Sequence, residues 1–234
     1  MTSVGVMGKT VEFASNGDQA SGYLASPDGG GPGVLVIQEW WGLVPQIKRV
    51  CDGLAADGFT ALAPDLYHGE IAEHTEMDKA AQLMTSLPAD RAGRDMSAAI
   101  DYLLTQPGVG ESVGVVGFCM GGLLTLVIAA MQGDRVAAAV PHYGAPLGEM
   151  EPDWSGLTAP VQGHFAENDD FFGPDAIREL EKKLQGMGKD VTFHIYPGTG
   201  HAFANEENAL GTYDKAATDE ARTRCMAFLR EKLG

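Results

Sequence analysis

Cys119 stands at the centre of Gly117-Phe118-Cys119-Met120-Gly121-Gly122, and its neighbours on both sides suit it to nucleophilic chemistry. Before it, Val113-Gly114-Val115-Val116 is a short β-branched run of the kind that forms a buried central strand. After it, Leu123 to Ala130 is an apolar run long enough for a buried helix. A strand that turns sharply into a helix lifts the residue at the corner above the sheet. The residues two before and two after that corner must be small, because the two backbones pass close together; Gly117 and Gly121 meet that demand. The plainer alternative is a tight turn around an inert cysteine, since free cysteine often packs as a small hydrophobe. The matching flanks weigh for the nucleophile.

A thiol nucleophile needs a base to collect its proton and a third group to orient that base. Around such a corner they follow in the chain order nucleophile, acid, histidine. Here Cys119, then Asp169 or Asp170, then His201 fill that order. His201 lies in Gly198-Thr199-Gly200-His201-Ala202-Phe203, expected as a flexible loop between the last strand and the last helix. Asp169 is favoured as the acid because it lies closer to the end of the preceding strand; Asp170 is then solvated or caps the helix approaching Pro174. Among the other histidines, His164 and His194 read as satisfied structural residues, His68 and His74 as solvated, and His142 as a pocket-lining residue after a strand. None of them shows a ligand spacing with a third partner, so no metal and no cofactor is expected. Glu39, directly after the buried run Val34 to Gln38, is placed near the nucleophile by this arrangement. The N–H of Met120 is one expected oxyanion donor and that of Trp40 the other. Trp40, Trp41, Tyr143, Phe171, Phe172 and Phe203 are the expected aromatic walls, with Trp41, Tyr143 and Phe203 assigned to substrate binding.

The elements that must position these residues alternate along the chain. Val11–Phe13 and Gly22–Ala25 read as an opening pair of strands around the turn Ser15-Asn16-Gly17-Asp18, and Val34–Ile37 as a buried strand. Pro45 to Asp57 reads as a helix with Pro in its first turn and Gly58 beyond its end, followed by a strand at Thr60–Ala63 closed by Pro64. Helical periodicity covers 76–86 and 91–104. Strands at Val136–Val140, Val161–Phe165 and Val191–Ile195 follow, with helices at Pro174–Met187 and from about Tyr213 to Leu233. This alternation predicts right-handed βαβ units, a mostly parallel central sheet with helices on both faces, and a site at the carboxyl ends of the strands.

The 234 residues fit one domain, 1–234, with a single core. Sixteen Lys plus Arg against 32 Asp plus Glu leave a net charge of −16, which repels nucleic acid and anionic membranes. No stretch is long and apolar enough to span a membrane, and Met1 to Lys9 lack the features of a signal peptide. Cys51, Cys119 and Cys225 are an odd, widely spaced set that argues against disulfides and for a cytoplasmic protein; Cys51 and Cys225 read as packing residues. A monomer is expected.

The motifs Gln38-Glu39-Trp40-Trp41-Gly42, Ala63-Pro64-Asp65-Leu66-Tyr67, Gly117 to Gly122, His142-Tyr143-Gly144, Asn168-Asp169 and Gly200-His201-Ala202-Phe203 together resemble the dienelactone hydrolase family of the α/β-hydrolases. The resemblance runs from about Val11 to the C-terminus and implies one α/β-hydrolase domain. It implies hydrolysis of a small ester or lactone through an acyl-enzyme, with Cys119 as nucleophile, His201 as base and then acid, and Asp169 as orienter. Glu39 matches the family's glutamate, which interacts with the resting thiol. One departure bears on substrate. Where the family's dienelactone-degrading members place carboxylate-binding arginines, this chain has Asn205 and a stretch, 68–90, whose only cation is Lys79. A less anionic ester or lactone is therefore expected. The competing class is a non-catalytic relative that binds a small ligand or senses oxidants through Cys119; only Cys51 and Cys225 could resolve such an oxidation.

Overall fold

Continuous apolar runs with no polar alternation, Gly33–Ile37 (β3) and Thr60–Pro64 (β4), are buried at every position, as strands covered on both faces must be. The computed structural model describes residues 8–15 and 17–234. The expectation that Met1 to Lys9 form no signal peptide falls, up to Met7, outside them, as does the place of Asn16 in the first turn. Two compact units divide the chain, one ending at Val113 and the other beginning at Gly114.

In the first unit, Lys9–Ser15 (β1) and Asp18–Ala25 (β2) form an antiparallel hairpin, from Lys9 opposite Leu24 to Ser15 opposite Asp18. β2 continues antiparallel onto β4, and β3 runs parallel to β4. Pro64 does not end β4 from outside but is its last residue, opposite Gly22. Three helices pack here: Pro45–Ala56 (α1), Met77–Ser86 (α2) and Ala89–Leu104 (α3). α3 buries Ala92, Met96, Ala99, Ile100 and Leu103, the stripe expected of one helical face. α2 buries only Ala80.

The second unit is entered along Val113–Phe118 (β5), which leads into Met120–Gln132 (α4). Val136–His142 (β6), Val161–Asn168 (β7) and Val191–Gly200 (β8) are parallel neighbours, and Pro174–Gly186 (α5) and Lys215–Leu233 (α6) are further α-helices. The strands are neighbours in the order β1-β2-β4-β3 in the first unit and β5-β6-β7-β8 in the second. α6 begins two residues later than its apolar pattern suggests, because the Asp214 side chain accepts the Ala217 amide at 2.9 Å and caps it.

β7 and β8 are longer than their hydrophobic patterns. β8 continues through Pro197-Gly198-Thr199-Gly200 and pairs Gly200 with Asn168 after a register shift beyond Ala166. The segment expected as a flexible loop is therefore strand up to the residue before His201. Side chains hold it: Gly198 N–H donates to Glu167 Oε2 at 2.8 Å, and Thr199 Oγ1–H to the Tyr196 carbonyl at 2.8 Å.

Candidate active site

At the end of β5 the backbone turns through Cys119, with φ 54° and ψ −117°, before α4 begins at Met120. Few non-glycine residues adopt positive φ, and such strain concentrates at functional sites. The turn is tied down on both sides. Cys119 N–H donates to the His142 carbonyl at 3.0 Å, and the Cys119 carbonyl accepts from Gly122 at 2.9 Å and Leu123 at 3.2 Å. A Cβ on Gly117 would overlap the Gly121 carbonyl, and one on Gly122 would sit 2.5 Å from the His142 carbonyl, so neither position has room for a side chain.

His201 follows β8 directly and brings the other two groups together. Its Nε2 lies 3.2 Å from Cys119 Sγ and its Nδ1 2.8 Å from Asp169 Oδ2. Asp169 is buried, and its other oxygen accepts the amides of Phe171 at 2.9 Å and Phe172 at 3.0 Å. Burial pushes the Asp169 carboxyl up, but the hydrogen bonds from His201 and those two amides outweigh it and hold it below the usual carboxylate range. Asp170 is exposed, and α5 has no side-chain cap. The turn that aims Asp169 at His201 sends Asp170 to solvent.

Aromatic rings enclose the His201 imidazole. Tyr143 meets it edge-on at 5.4 Å, Phe171 edge-on at 4.9 Å, and Phe172 stacks at 5.9 Å. Phe171 is 67% exposed, whereas Tyr143 and Phe203 are fully buried. Tyr143 and Phe203 pack on each other behind the imidazole, and Phe171 is the open surface beside it.

In the first unit, Glu39 and Trp41 are almost fully buried and Trp40 is half-buried. Trp41 packs edge-on against Trp40 and His74, each at 5.0 Å. His74 is thus wedged against Trp41 with its Nε2 enclosed and unmatched, not solvated as its polar surroundings suggest. His68 is exposed, as its polar surroundings suggest, with its Nε2 2.7 Å from Asp95 Oδ2, while Ser15 Oγ–H donates to Asp95 Oδ1 at 2.6 Å. Arg91, just past the arginine-free stretch, turns back to donate to the Leu66 carbonyl at 3.3 Å, a cation that periodicity alone assigns only to the helix. Asn205 is buried, and its Oδ1 accepts the Glu207 amide at 3.0 Å. Cys51 and Cys225 are buried in α1 and α6, and burial pushes both thiols up. No group of three metal-ligating side chains occurs among the described residues.

The sheet, its helices and a cysteine at a strand–helix corner define an α/β-hydrolase fold. Within it the chain belongs to the dienelactone hydrolase family, whose family model matches residues 20–233. It is 38% identical over 237 residues to Protein usf of Aquifex pyrophilus, covering 97% of this chain and 100% of that one. It is 30% identical to carboxymethylenebutenolidase 1 of Cupriavidus pinatubonensis over 229 residues, or 94% and 95% of the two chains. Among solved structures, a dienelactone hydrolase-like promiscuous phosphotriesterase from metagenomic libraries superposes with a TM-score of 0.83 over 97% of this chain and 98% of that one. At 23% identity that likeness speaks to the fold alone. No helix among the described residues is long and apolar enough to cross a membrane.

Proposed function

We propose that this protein hydrolyses a small carboxylic ester or lactone by a thiol nucleophile, within a single α/β-hydrolase domain. The observation that carries the reading is the line Cys119 Sγ, His201 Nε2, His201 Nδ1, Asp169 Oδ2, at 3.2 and 2.8 Å. In that line His201 takes the thiol proton as Sγ attacks the substrate carbonyl carbon. The carbonyl oxygen becomes an oxyanion, for which the Met120 and Trp40 amides are the assigned donors. Collapse of this intermediate breaks the C–O ester bond, and imidazolium returns the proton to the leaving alkoxide. Water, deprotonated by the same imidazole, then attacks the thioester, releasing the acid and restoring the thiol. Asp169 holds the tautomer in which Nε2 can accept a proton and stabilises the imidazolium that forms.

The net charge of −16 and the occupation of the Asn205 side chain by its own turn favour a less anionic acyl group than a carboxylate-bearing lactone. The test is denaturing mass spectrometry of protein mixed with p-nitrophenyl acetate and quenched within one turnover, alongside steady-state rates for that ester and cis-dienelactone. Acetyl on the peptide containing Cys119, with the aryl ester turned over faster, is the expected result. Turnover with acetyl on another residue would overturn the thiol mechanism, and faster dienelactone turnover would overturn the substrate preference.

Glu39, by its match to the family's glutamate, is assigned to restrain the resting thiol through like-charge repulsion against its ionisation. Glu39→Gln is therefore expected to speed iodoacetamide alkylation of Cys119 in the free enzyme. An unchanged rate would remove that role. The redox alternative has less support, because both other thiols are buried and held in the protonated form.

A further inference from the structure

Three histidines stand in one row across the sheet behind the nucleophile. His142 is the last residue of β6 and lies opposite His164 on β7, which lies opposite His194 on β8. Their rings stack in turn, His142 on His164 at 4.7 Å and His164 on His194 at 5.6 Å. At the other end His142 stacks on Phe118, the residue before the nucleophile, at 4.6 Å. His142 and His164 are buried, yet His142 Nδ1 and His164 Nε2 have no hydrogen-bond partner. A buried polar atom left unmatched is costly, and an apolar ring at 142 would stack without that cost.

What the row does follows from what it touches. The His142 carbonyl receives the Cys119 amide, and the His164 carbonyl receives the Tyr143 amide at 2.7 Å. Tyr143, at φ 35°, is the residue whose ring meets His201. The strained turn at Cys119 is therefore held on one side by the ring and carbonyl of His142. We propose that His142 is a positioning residue for the nucleophile: the neutral His142–His164 stack braces the corner at Cys119, and proton uptake by the stack releases it. This rests on the reading of Cys119 as nucleophile.

The carboxylates facing the row, Glu181 and Glu220, act at its His194 end, and none acts on the His142 or His164 ring. β5 contributes Phe118 and the Gly117 carbonyl, which with the Val140 carbonyl interacts with the His142 ring. β8 contributes His194 and Tyr196, whose hydroxyl is 2.8 Å from His164 Nδ1. α6 contributes Arg224, which lies over the Tyr196 ring, together with Glu220 and Cys225; α5 contributes Glu181, which acts on His194. Burial pushes His142 down to about 4, against the pull of the two carbonyls. Burial first, then His142, His194 and Arg224, push His164 well below its ordinary value. Both imidazoles are therefore neutral at neutral pH, and protonating either one places a cation in a stack that offers it no anion.

The experiment measures kcat, KM and the iodoacetamide alkylation rate of Cys119 from neutral pH down to about pH 4, with far-UV circular dichroism at each point. His142→Ala is expected to lower kcat about ten- to a hundredfold at unchanged KM, the scale of a small displacement of a reacting group. His142→Phe keeps a stacking ring and lacks a titrating nitrogen; it should rescue most of that loss. Its kcat and alkylation rate should also fall less on acidification than the parent's, while both proteins keep their secondary structure. His164→Gln, which keeps an acceptor for the Tyr196 hydroxyl, makes the same acid-limb test if His142→Phe does not fold. An acid limb in these variants superimposable on the parent's, or a His142→Ala protein with the parent's kcat, would overturn the proposal. Turnover surviving in Cys119→Ala would instead overturn the nucleophile assignment, so the two failures are distinguishable.

Discussion

Cys119→Ala and His201→Ala are each expected to lower kcat for an aryl ester by ~10⁶-fold, roughly 8 kcal/mol of transition-state stabilisation, with KM little changed. The effects do not add, because the three side chains act as one line: without the imidazole the thiol has no proton acceptor, and without the thiol the imidazole has nothing to activate. Asp169→Asn is expected to cost about 10³- to 10⁴-fold, because an amide presents no carboxylate to the imidazolium and permits the wrong tautomer. The size follows from burial. Asp169 faces His201 from a site closed to water, and its remaining oxygen is committed to the Phe171 and Phe172 amides, so no solvent can substitute for it. Asp170→Asn, one residue away and exposed, is the control, expected to stay within about twofold as surface substitutions do. Steady-state kinetics on the four purified variants check the set. Comparable losses for Asp169→Asn and Asp170→Asn would refute the assignment of the orienting carboxylate.

The strand–helix corner at Cys119 was legible because its signals are local. A β-branched strand, two small residues at fixed offsets and an apolar helix all lie within 18 residues, Val113 to Ala130. The choice between Asp169 and Asp170 was harder, since it depends on which carboxylate the amides of Phe171 and Phe172 capture as the chain turns. The extension of β8 through Gly198 and Gly200 was not legible. Those residues disfavour strands intrinsically, and they are held by pairing with Asn168 and by the Glu167 carboxylate on the neighbouring strand. The histidine row was invisible for the same reason: His142 and His164 are 22 positions apart, and only the register of β6 on β7 stacks their rings. Periodicity reports which face a residue takes, and register decides what it meets there.

Gly144→Ala is expected to destabilise the fold by at least about 3 kcal/mol, the upper end for overpacking, and to lower kcat in whatever folded protein remains. A Cβ at Gly144 would overlap the Cys119 carbonyl and stand 3.0 Å from the Leu123 amide. Both obstacles are backbone atoms, one at the cap of α4 and one in its first turn, so no rotamer change relieves them. That carbonyl accepts the Gly122 and Leu123 amides at the start of α4. Relief must come from moving either the corner or the His142–Gly144 turn. Moving the corner carries Sγ away from His201 Nε2, and moving the turn drags the His142 carbonyl from the Cys119 amide and the Tyr143 ring from His201. The variant thus touches no reacting side chain, yet it acts on the geometry that aligns them. A melting temperature lower by about 6–12 °C is the expected signature for a chain of this length, with reduced kcat at temperatures where the protein is still folded. An Ala variant matching the parent in both would mean that the turn after β6 has slack the structure does not show, and that the corner is held by β5 and α4 alone.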